Sequence, residues 1–541
     1  MLETLLRWID ENILSLGREL RLSYLPPLMV YIAFGVSGLT GIVGTFFVKD
    51  YLGLSAAFLA VLGFWVGIPW ALKMPLGHIV DLIWRWKSWL VFLGAGLIAA
   101  SLLIMVGLLT DRDAMTAIMP AETWYVLAAL LSPVGYVVQD VVADAMTVEA
   151  VPRVDENGKP VSQEARKLMN TTMQTLGRVA LISGLALVAA INLYMFADVE
   201  SLSEAEKVDV YRRIYIAALV IPFISVGGVA LAWWLRRRDI RKAIATGMTP
   251  GEAARLYARP EERPAANWWI LGGSLAFVAF TLGMGFGNIP WNQEIILAGS
   301  FGIIGFLIVK LTRELEPEAR ATLIGTVIVV FVYRAVPLPG EGVTWWMIDV
   351  LGFDQRFLAV LSLIGSVLTL FGMFIFRRFM AEHSIAYVVG ALTLAGALFS
   401  LPIVGLYYGL HDWAAAATGG MVDARFIVLM NTALESPLGQ IAMIPMLAWI
   451  ANSAPANLKA TYFAIMASFT NLALSASQLG AKYLNQAWTV TREVKEAATG
   501  AVKIPADYSQ LGELLIAQLL LALALPFAAI LIIRASRLRS A

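Results

Sequence analysis

Leu52 to Leu62 reads LGLSAAFLAVL, and Leu351 to Leu361 reads LGFDQRFLAVL; 7 of the 11 positions are identical at an offset of 299 residues. A second echo follows in the same order, Ser132-Pro133-Val134-Gly135 against Ser436-Pro437-Leu438-Gly439, at an offset of 304. Pro152 and Pro455 close the corresponding stretches. Two echoes in one order mark a duplicated unit, and both copies sit among long apolar runs. Duplicated apolar units are a signature of membrane carriers, in which the solute site lies where the copies meet.

Composition sets the medium. Of 541 residues, 59% are hydrophobic and only 15% charged, against about a quarter charged in a soluble domain. Apolar runs of roughly 20 residues recur, each long enough to cross ~30 Å of hydrocarbon. With no cysteine, disulfides, thiol catalysis and Cys-ligated metals are excluded; three scattered histidines, His78, His383 and His411, argue against zinc. The net charge of +1 does not point to nucleic acid. No phosphate loop, catalytic triad or metal cluster is present, so neither enzyme activity nor a cofactor is expected.

Spanning helices are predicted at about 25–48, 55–80, 88–110, 123–150, 167–194 and 211–235, then a pair at 267–287 and 291–311, then 320–337, 355–377, 385–409, 424–451, 457–485 and 509–534. This makes an all-α membrane protein of about fourteen helices: two six-helix halves with an inserted pair between them. The domains expected are 1–24, 25–235, 236–266, 267–311 and 312–541. In 1–24, Leu2, Leu5, Leu6, Ile9, Ile13, Leu16 and Leu20 fall at helical spacing among charges of both signs, which predicts an amphipathic helix on the membrane surface. No cleavable signal is visible, so the first span serves as the targeting signal. Segment 236–266 is a basic linker carrying Arg236, Arg237, Arg238, Arg241 and Lys242, whereas Asp111, Asp113, Glu122, Glu204 and Glu206 make the opposite loops acidic. The positive-inside rule then puts both termini in the cytoplasm, with the bacterial inner membrane as the expected location. The inserted pair, joined by Asn288-Ile289-Pro290-Trp291, lies outside the repeat and is expected to brace the bundle rather than touch the solute.

Charges within spans need a partner or a purpose. The fourth span holds Gln139, Asp140, Asp144 and Glu149; Asp140 and Asp144, four apart, share a face. Measured from Pro152 they lie 12 and 8 residues deep, level with Arg178 and Gln174 of the fifth span. This predicts an Asp140–Arg178 ion pair and leaves Asp144 beside uncharged Gln174, suited to accept a proton; a purely structural network is the alternative. Glu149 and Arg153 stand at the membrane edge as an inner gate or an anchor, and Asp81 has the same double reading. Lys73, between Pro69 and Pro75, either snorkels to the headgroups or takes part in a gate. In the second half, Arg334 either holds an anionic group or caps the outer mouth. Glu435 and Gln440 sit near mid-span, and Asn471 and Gln478 lie two turns apart, where helix–helix hydrogen bonding is the plainer role. Gly35, Gly38, Gly41 and Gly44 permit close packing or leave room for a ligand.

Gly38 to Asp81, GLTGIVGTFFVKDYLGLSAAFLAVLGFWVGIPWALKMPLGHIVD, resembles the first two helices of the folate–biopterin transporter family, a branch of the major facilitator superfamily. Asp140-Val141-x-x-Asp144-Ala145 with Glu149, Arg334-Ala335-Val336-Pro337, Leu351-Gly352-Phe353, Gly439-Gln440-Ile441-Ala442 and Ala460-Thr461-Tyr462-Phe463-Ala464 with Asn471 extend the resemblance over about 30–195 and 320–485. The sequence departs from that pattern at Val80-Asp81, at Lys73-Met74-Pro75 and in the inserted pair, a feature similar to muropeptide and acetyl-CoA permeases of the same superfamily.

The resemblance implies a major-facilitator-like secondary transporter working by alternating access. The expected partners are a small anionic organic solute of folate or pteridine type, protons and membrane lipids, in a monomer. Proton coupling falls to Asp144 and Asp140; solute contact to Arg178, Gln139, Gln174, Arg334, Glu435, Gln440 and Asn471; gating to Lys73, Asp81, Glu149 and Arg153. A muropeptide-type or other conjugated-anion permease, or a non-transporting pigment-delivery or assembly protein on the same fold, are the alternatives.

Overall fold

In hydrocarbon every backbone polar group must be satisfied within its own segment, so apolar runs of this length become helices. The computed structural model describes residues 20–47, 56–71, 73–84, 86–152, 161–197, 199, 202–258, 266–286, 289–313, 316–376, 379, 383–439, 441, 443, 459–495, 502–536 and 538–540. The amphipathic helix expected over 1–24 falls largely outside them; Leu22–Tyr24 form a 3-10 turn.

The first half comprises α1 (Leu25–Val36), α2 (Gly41–Phe47), α3 (Ala56–Ala71), α4 (Lys73–Leu82), α5 (Ser88–Thr110), α6 (Ala121–Ala150), α7 (Gln163–Met195), α8 (Glu204–Ala218) and α9 (Val220–Ala245). The inserted pair is α10 (Trp268–Phe286) and α11 (Asn292–Thr312). The second half holds α12 (Pro317–Arg334), α13 (Gln355–Ile375), α14 (Ile385–Tyr407), α15 (Ala424–Glu435), α16 (Lys459–Ala487) and α17 (Leu511–Ala535). Among the described residues, nine helices are long and apolar enough to cross a membrane, fewer than the fourteen expected. Several expected spans are interrupted: 25–48 by a 3-10 turn at Ser37–Thr40, and 55–80 between α3 and α4. A short antiparallel hairpin, Val494–Lys495 with Val502–Ile504, was not foreseen.

The basic stretch expected as a linker begins as helix. Arg236 to Lys242 continue α9 to Ala245, because Arg, Lys and Ala favour helix and no glycine intervenes before Gly247, which has φ +102°. A further helix, Pro250–Ala258, follows.

Small residues set the helix crossings. A Cβ on Gly35 would come 2.1 Å from the Leu181 carbonyl oxygen, so α1 and α7 touch backbone to backbone. At the α5–α6 crossing, a Cβ on Gly94 would lie 2.5 Å from the Gly135 oxygen. Between the halves, α3 packs on α16 and α7 on α13.

The two copies of Ser-Pro-x-Gly diverge. Pro133 sits inside α6, whereas Ser436–Leu438 form a 3-10 turn that ends α15. The loosened Ser436 carbonyl accepts from Thr369 Oγ1 at 2.8 Å. Gly372 lets α13 approach so closely that a Cβ there would lie 2.0 Å from the Pro437 oxygen.

The inserted pair packs on both halves. Asn267 N donates to His78 Nε2 on α4 at 2.9 Å. On α11, Glu294 accepts from Lys482 of α16 at 3.1 Å, and also from the Tyr483 hydroxyl. Phe277, Ile296, Ile304 and Leu307 of the pair join one apolar cluster with Phe64 and Ile68 of α3 and with Met466, Phe469 and Leu472 of α16.

Candidate functional site

A cavity of about 1080 Å³ lies between the halves. The first half supplies walls from α1 to α8, and the second from α12, the segment Leu338–Trp345, Met443 and α16. Gly44 at the end of α2, Tyr125 at the start of α6 and Glu341 after α12 lie at one end of the helix bundle. Asp140, Asp144 and Lys73 also line the cavity. None of the described residues of α10 or α11 lines it.

Lys73 is the first residue of α4. Pro69 lacks an N–H, so α3 loses a rung of its ladder near its end. After the break, α4 packs on α6. Lys73 Nζ reaches Asp140 Oδ2 at 2.6 Å and Asp144 Oδ2 at 2.7 Å. The Tyr31 hydroxyl donates to Asp144 Oδ1 at 2.7 Å. One ammonium therefore serves two carboxylates. The ion pair expected between Asp140 and Arg178 does not form; Lys73 takes its place, because the interrupted second span reaches α6 with a cation. Nor is Asp144 left without a charged neighbour. Lys73 does not snorkel: its side chain is 10% exposed.

Arg178 and Arg334 enter the cavity from opposite halves. Arg334 Nη1 donates to the Met443 sulfur at 3.6 Å, and the two guanidinium charges act on one another. Neither has a carboxylate partner among the described residues. Asn471 also lines the cavity and donates to the Trp70 carbonyl at 3.3 Å, across the halves.

Three expectations change. Gln139 does not line the cavity: buried, it donates to Val91 O at 3.0 Å and Ser225 Oγ at 2.9 Å, tying α6 to α5 and α9. Glu435 is turned toward Asn431 one helical turn back, which donates to it at 3.3 Å, and it is absent from the cavity wall. Glu149 binds Lys87 at 2.7 Å and Arg236 at 3.4 Å, all within the first half, so it makes no contact across the halves. Gln440 and Arg153 lie outside the described residues, as do the side chains of Gln174 and Asp81. Among the described residues, no group of three or more His, Asp or Glu is placed to hold a metal.

The four glycines divide. Gly35 serves packing, while Gly41 and Gly44 line the cavity and Gly41 faces open space. Five wall residues carried no distinctive sequence signal. Tyr31, Phe34, Trp70 and Tyr136 read as ordinary apolar span positions, and Glu341 as a loop acid. In the fold, the Phe34 ring lies 5.2 Å from Trp70 and 5.4 Å from Tyr136, giving the cavity an aromatic wall beside the Lys73 cluster.

Residues 288–539 match the model of the BT1 family. A folate-biopterin transporter of Synechocystis sp. is 23% identical over 473 residues, covering 86% of this chain and 75% of that protein. Over residues 288–539 the chain is similar to the BT1 family. Both matches agree with the resemblance carried by the Gly38–Asp81 motif and its companions, and they point to a membrane transporter rather than an enzyme. Solved structures agree on the fold alone. A peptide transporter POT variant crystallised with alafosfalin superposes with a TM-score of 0.56 at 14% identity, covering 95% of each chain. A nucleoside transporter, NupG, gives 0.50 at 12% identity, over 94% of this chain and 99% of that one. The chain thus shares the helical fold of these two transporters.

Proposed function

We propose that this protein is a BT1-type transporter that carries an anionic, aromatic organic solute of folate or pteridine type by proton-coupled symport, with the two halves rocking around the central cavity. The observation that carries the reading is the pairing of two guanidinium groups, Arg178 and Arg334, with an aromatic wall of Phe34, Trp70 and Tyr136 in one cavity between the halves. Arginine forks match carboxylate geometry, and offset aromatic rings hold a planar heterocycle. The name of the Synechocystis relative supports the solute class.

The Lys73–Asp140–Asp144 cluster supports coupling. One ammonium against two carboxylates leaves one negative charge in excess, and a single proton neutralises it. Asp144, the more exposed of the two carboxylates at 28% against 14%, takes the proton, with Tyr31 and Lys73 holding it in place. Lys73 links the broken second span to that event and thereby acts in gating.

The test is uptake of radiolabelled folic acid into proteoliposomes with and without an inward proton gradient. Wild type is expected to be stimulated by the gradient, and Asp144→Asn to lose the stimulation. Gradient-independent uptake, with Asp144→Asn fully active, would overturn the reading.

A further inference from the structure

The cavity holds six charged side chains, and they fall into two groups. Lys73, Asp140 and Asp144 pair with one another, with one carboxylate charge in excess. Arg178, Arg334 and Glu341 have no ion-pair partner among the described residues, and the Glu341 carboxylate accepts no hydrogen bond from them. Arg178 and Arg334 stand half-buried without a carboxylate partner, which is costly, and the exposed Glu341 leaves its carboxylate open toward the cavity, so the three together describe a complement supplied from outside the chain.

Glu341 is held firmly where it stands. Its segment leaves α12 through Pro337, Pro339 and Gly340, the last with φ +83°, a conformation glycine tolerates. Asn485 Nδ2 donates to the Pro339 carbonyl at 3.1 Å, and Ser477 Oγ to the Val336 carbonyl at 2.7 Å. Gly480 lets α16 close on the Pro337 ring, where a Cβ would lie 2.5 Å away. Two hydrogen bonds and a close contact from α16 thus fix a carboxylate at the mouth, on the side of Tyr125, whose phenol feels its charge. The seven-residue step from Arg334 to Glu341 spans at most about 25 Å, which bounds the length of a solute that touches both.

We propose that Glu341 is a specificity-determining residue that pairs with an amino-pyrimidinone edge of the solute, at the end opposite the anionic group held by Arg178 and Arg334. Such an edge presents an exocyclic amine and a ring N–H side by side, and a carboxylate accepts both in parallel, as it does from a guanidinium fork. The site therefore selects solutes carrying an anionic tail at one end and a paired N–H donor edge at the other. This inference rests on the folate or pteridine reading above and names the residue that reads the heterocycle.

The test is equilibrium binding to the purified full chain in nanodiscs, with two probes: folic acid, and p-aminobenzoyl-glutamate, which keeps the anionic tail and lacks the heterocycle. Glu341→Gln is expected to weaken folic acid by about 10-fold, the scale of a lost charge-assisted pair, and to leave p-aminobenzoyl-glutamate within about 2-fold. Arg334→Gln is expected to weaken both probes. Glu341→Asp, which keeps the charge on a shorter arm, is expected to fall between wild type and Glu341→Gln, and guards against a general fault in the Gln variant. Equal loss for both probes in Glu341→Gln, or no loss for folic acid, overturns the role of Glu341 and leaves the solute reading standing. Wild type that binds neither probe overturns both.

Discussion

Lys73 touches two carboxylates at once, and removing it is a different experiment from removing either of them. Lys73→Met leaves Asp140 and Asp144 buried together without a cation, a change expected to cost roughly 3–5 kcal/mol. Thermal unfolding of the purified protein should show the drop at neutral pH and part of it recovered in acid, where one carboxylate is protonated. Adding Asp140→Asn should also recover part of the loss, since the two sites share a partner; a purely additive double variant would refute the shared network. Tyr31→Phe removes one hydrogen bond to Asp144 and is expected to cost about 1 kcal/mol. The pairing of Asp140 and Asp144 on one helical face was legible in the sequence, because spacing alone decides it. Their cation was not, because Lys73 lies 67 positions from Asp140 and reaches it only through the break after Pro69.

At the scale of elements, the glycines of the first span separate packing from room. Gly35→Ala drives a methyl into the backbone of α7, 2.1 Å from the Leu181 oxygen, and is expected to destabilise by about 1–3 kcal/mol or more. Gly41→Ala meets nothing within 4 Å and should leave the melting temperature unchanged, while Gly41→Leu, reaching into the cavity, should weaken folic acid binding. The sequence offered all four glycines at equal spacing; only the position of α7 distinguishes them. Another element-scale effect concerns the hairpin that precedes α17 in the second half, closed by the Thr491–Asp507 bridge. The Ser509 hydroxyl and N–H hold the Asp507 carboxyl below the usual carboxylate range. A lowered pKa contributes stability above the unfolded value of ~3.9, lost as pH falls through the folded value. Amide exchange at Thr491 should therefore speed up below about pH 4 relative to its neighbours.

For the molecule as a whole, alternating access requires the mouth of the cavity to close. The chain has no cysteine, so spin labels can be placed without removing any. Ile118 follows α5 and Met421 precedes α15; they are 75% and 77% exposed, on loops of opposite halves. The distance between labels at these positions is expected to shorten when folic acid is added, as measured by pulsed electron resonance. An unchanged distance distribution would argue against rocking of the halves. The inserted pair bears on the same motion, since Glu294 ties it to α16 and His78 to α4. Glu294→Gln is expected to lower the melting temperature by a few degrees, consistent with the loss of a partly exposed pair.

Apolar periodicity, the internal repeat and the motif set pointed by themselves to a helical membrane transporter, because lipid leaves the backbone few options and duplication leaves a record in residue order. They also placed Asp140, Asp144, Arg178 and Arg334 among the residues of interest, since a charge in an apolar span is conspicuous. Which charges meet was decided only in three dimensions. A helix break swings Lys73 onto α6, a one-turn offset turns Glu435 toward Asn431, and a loop pinned by α16 brings Glu341 to the cavity. Each outcome depends on a few ångströms of helix crossing and on a local break in the backbone ladder, and neither is written in spacing along the chain.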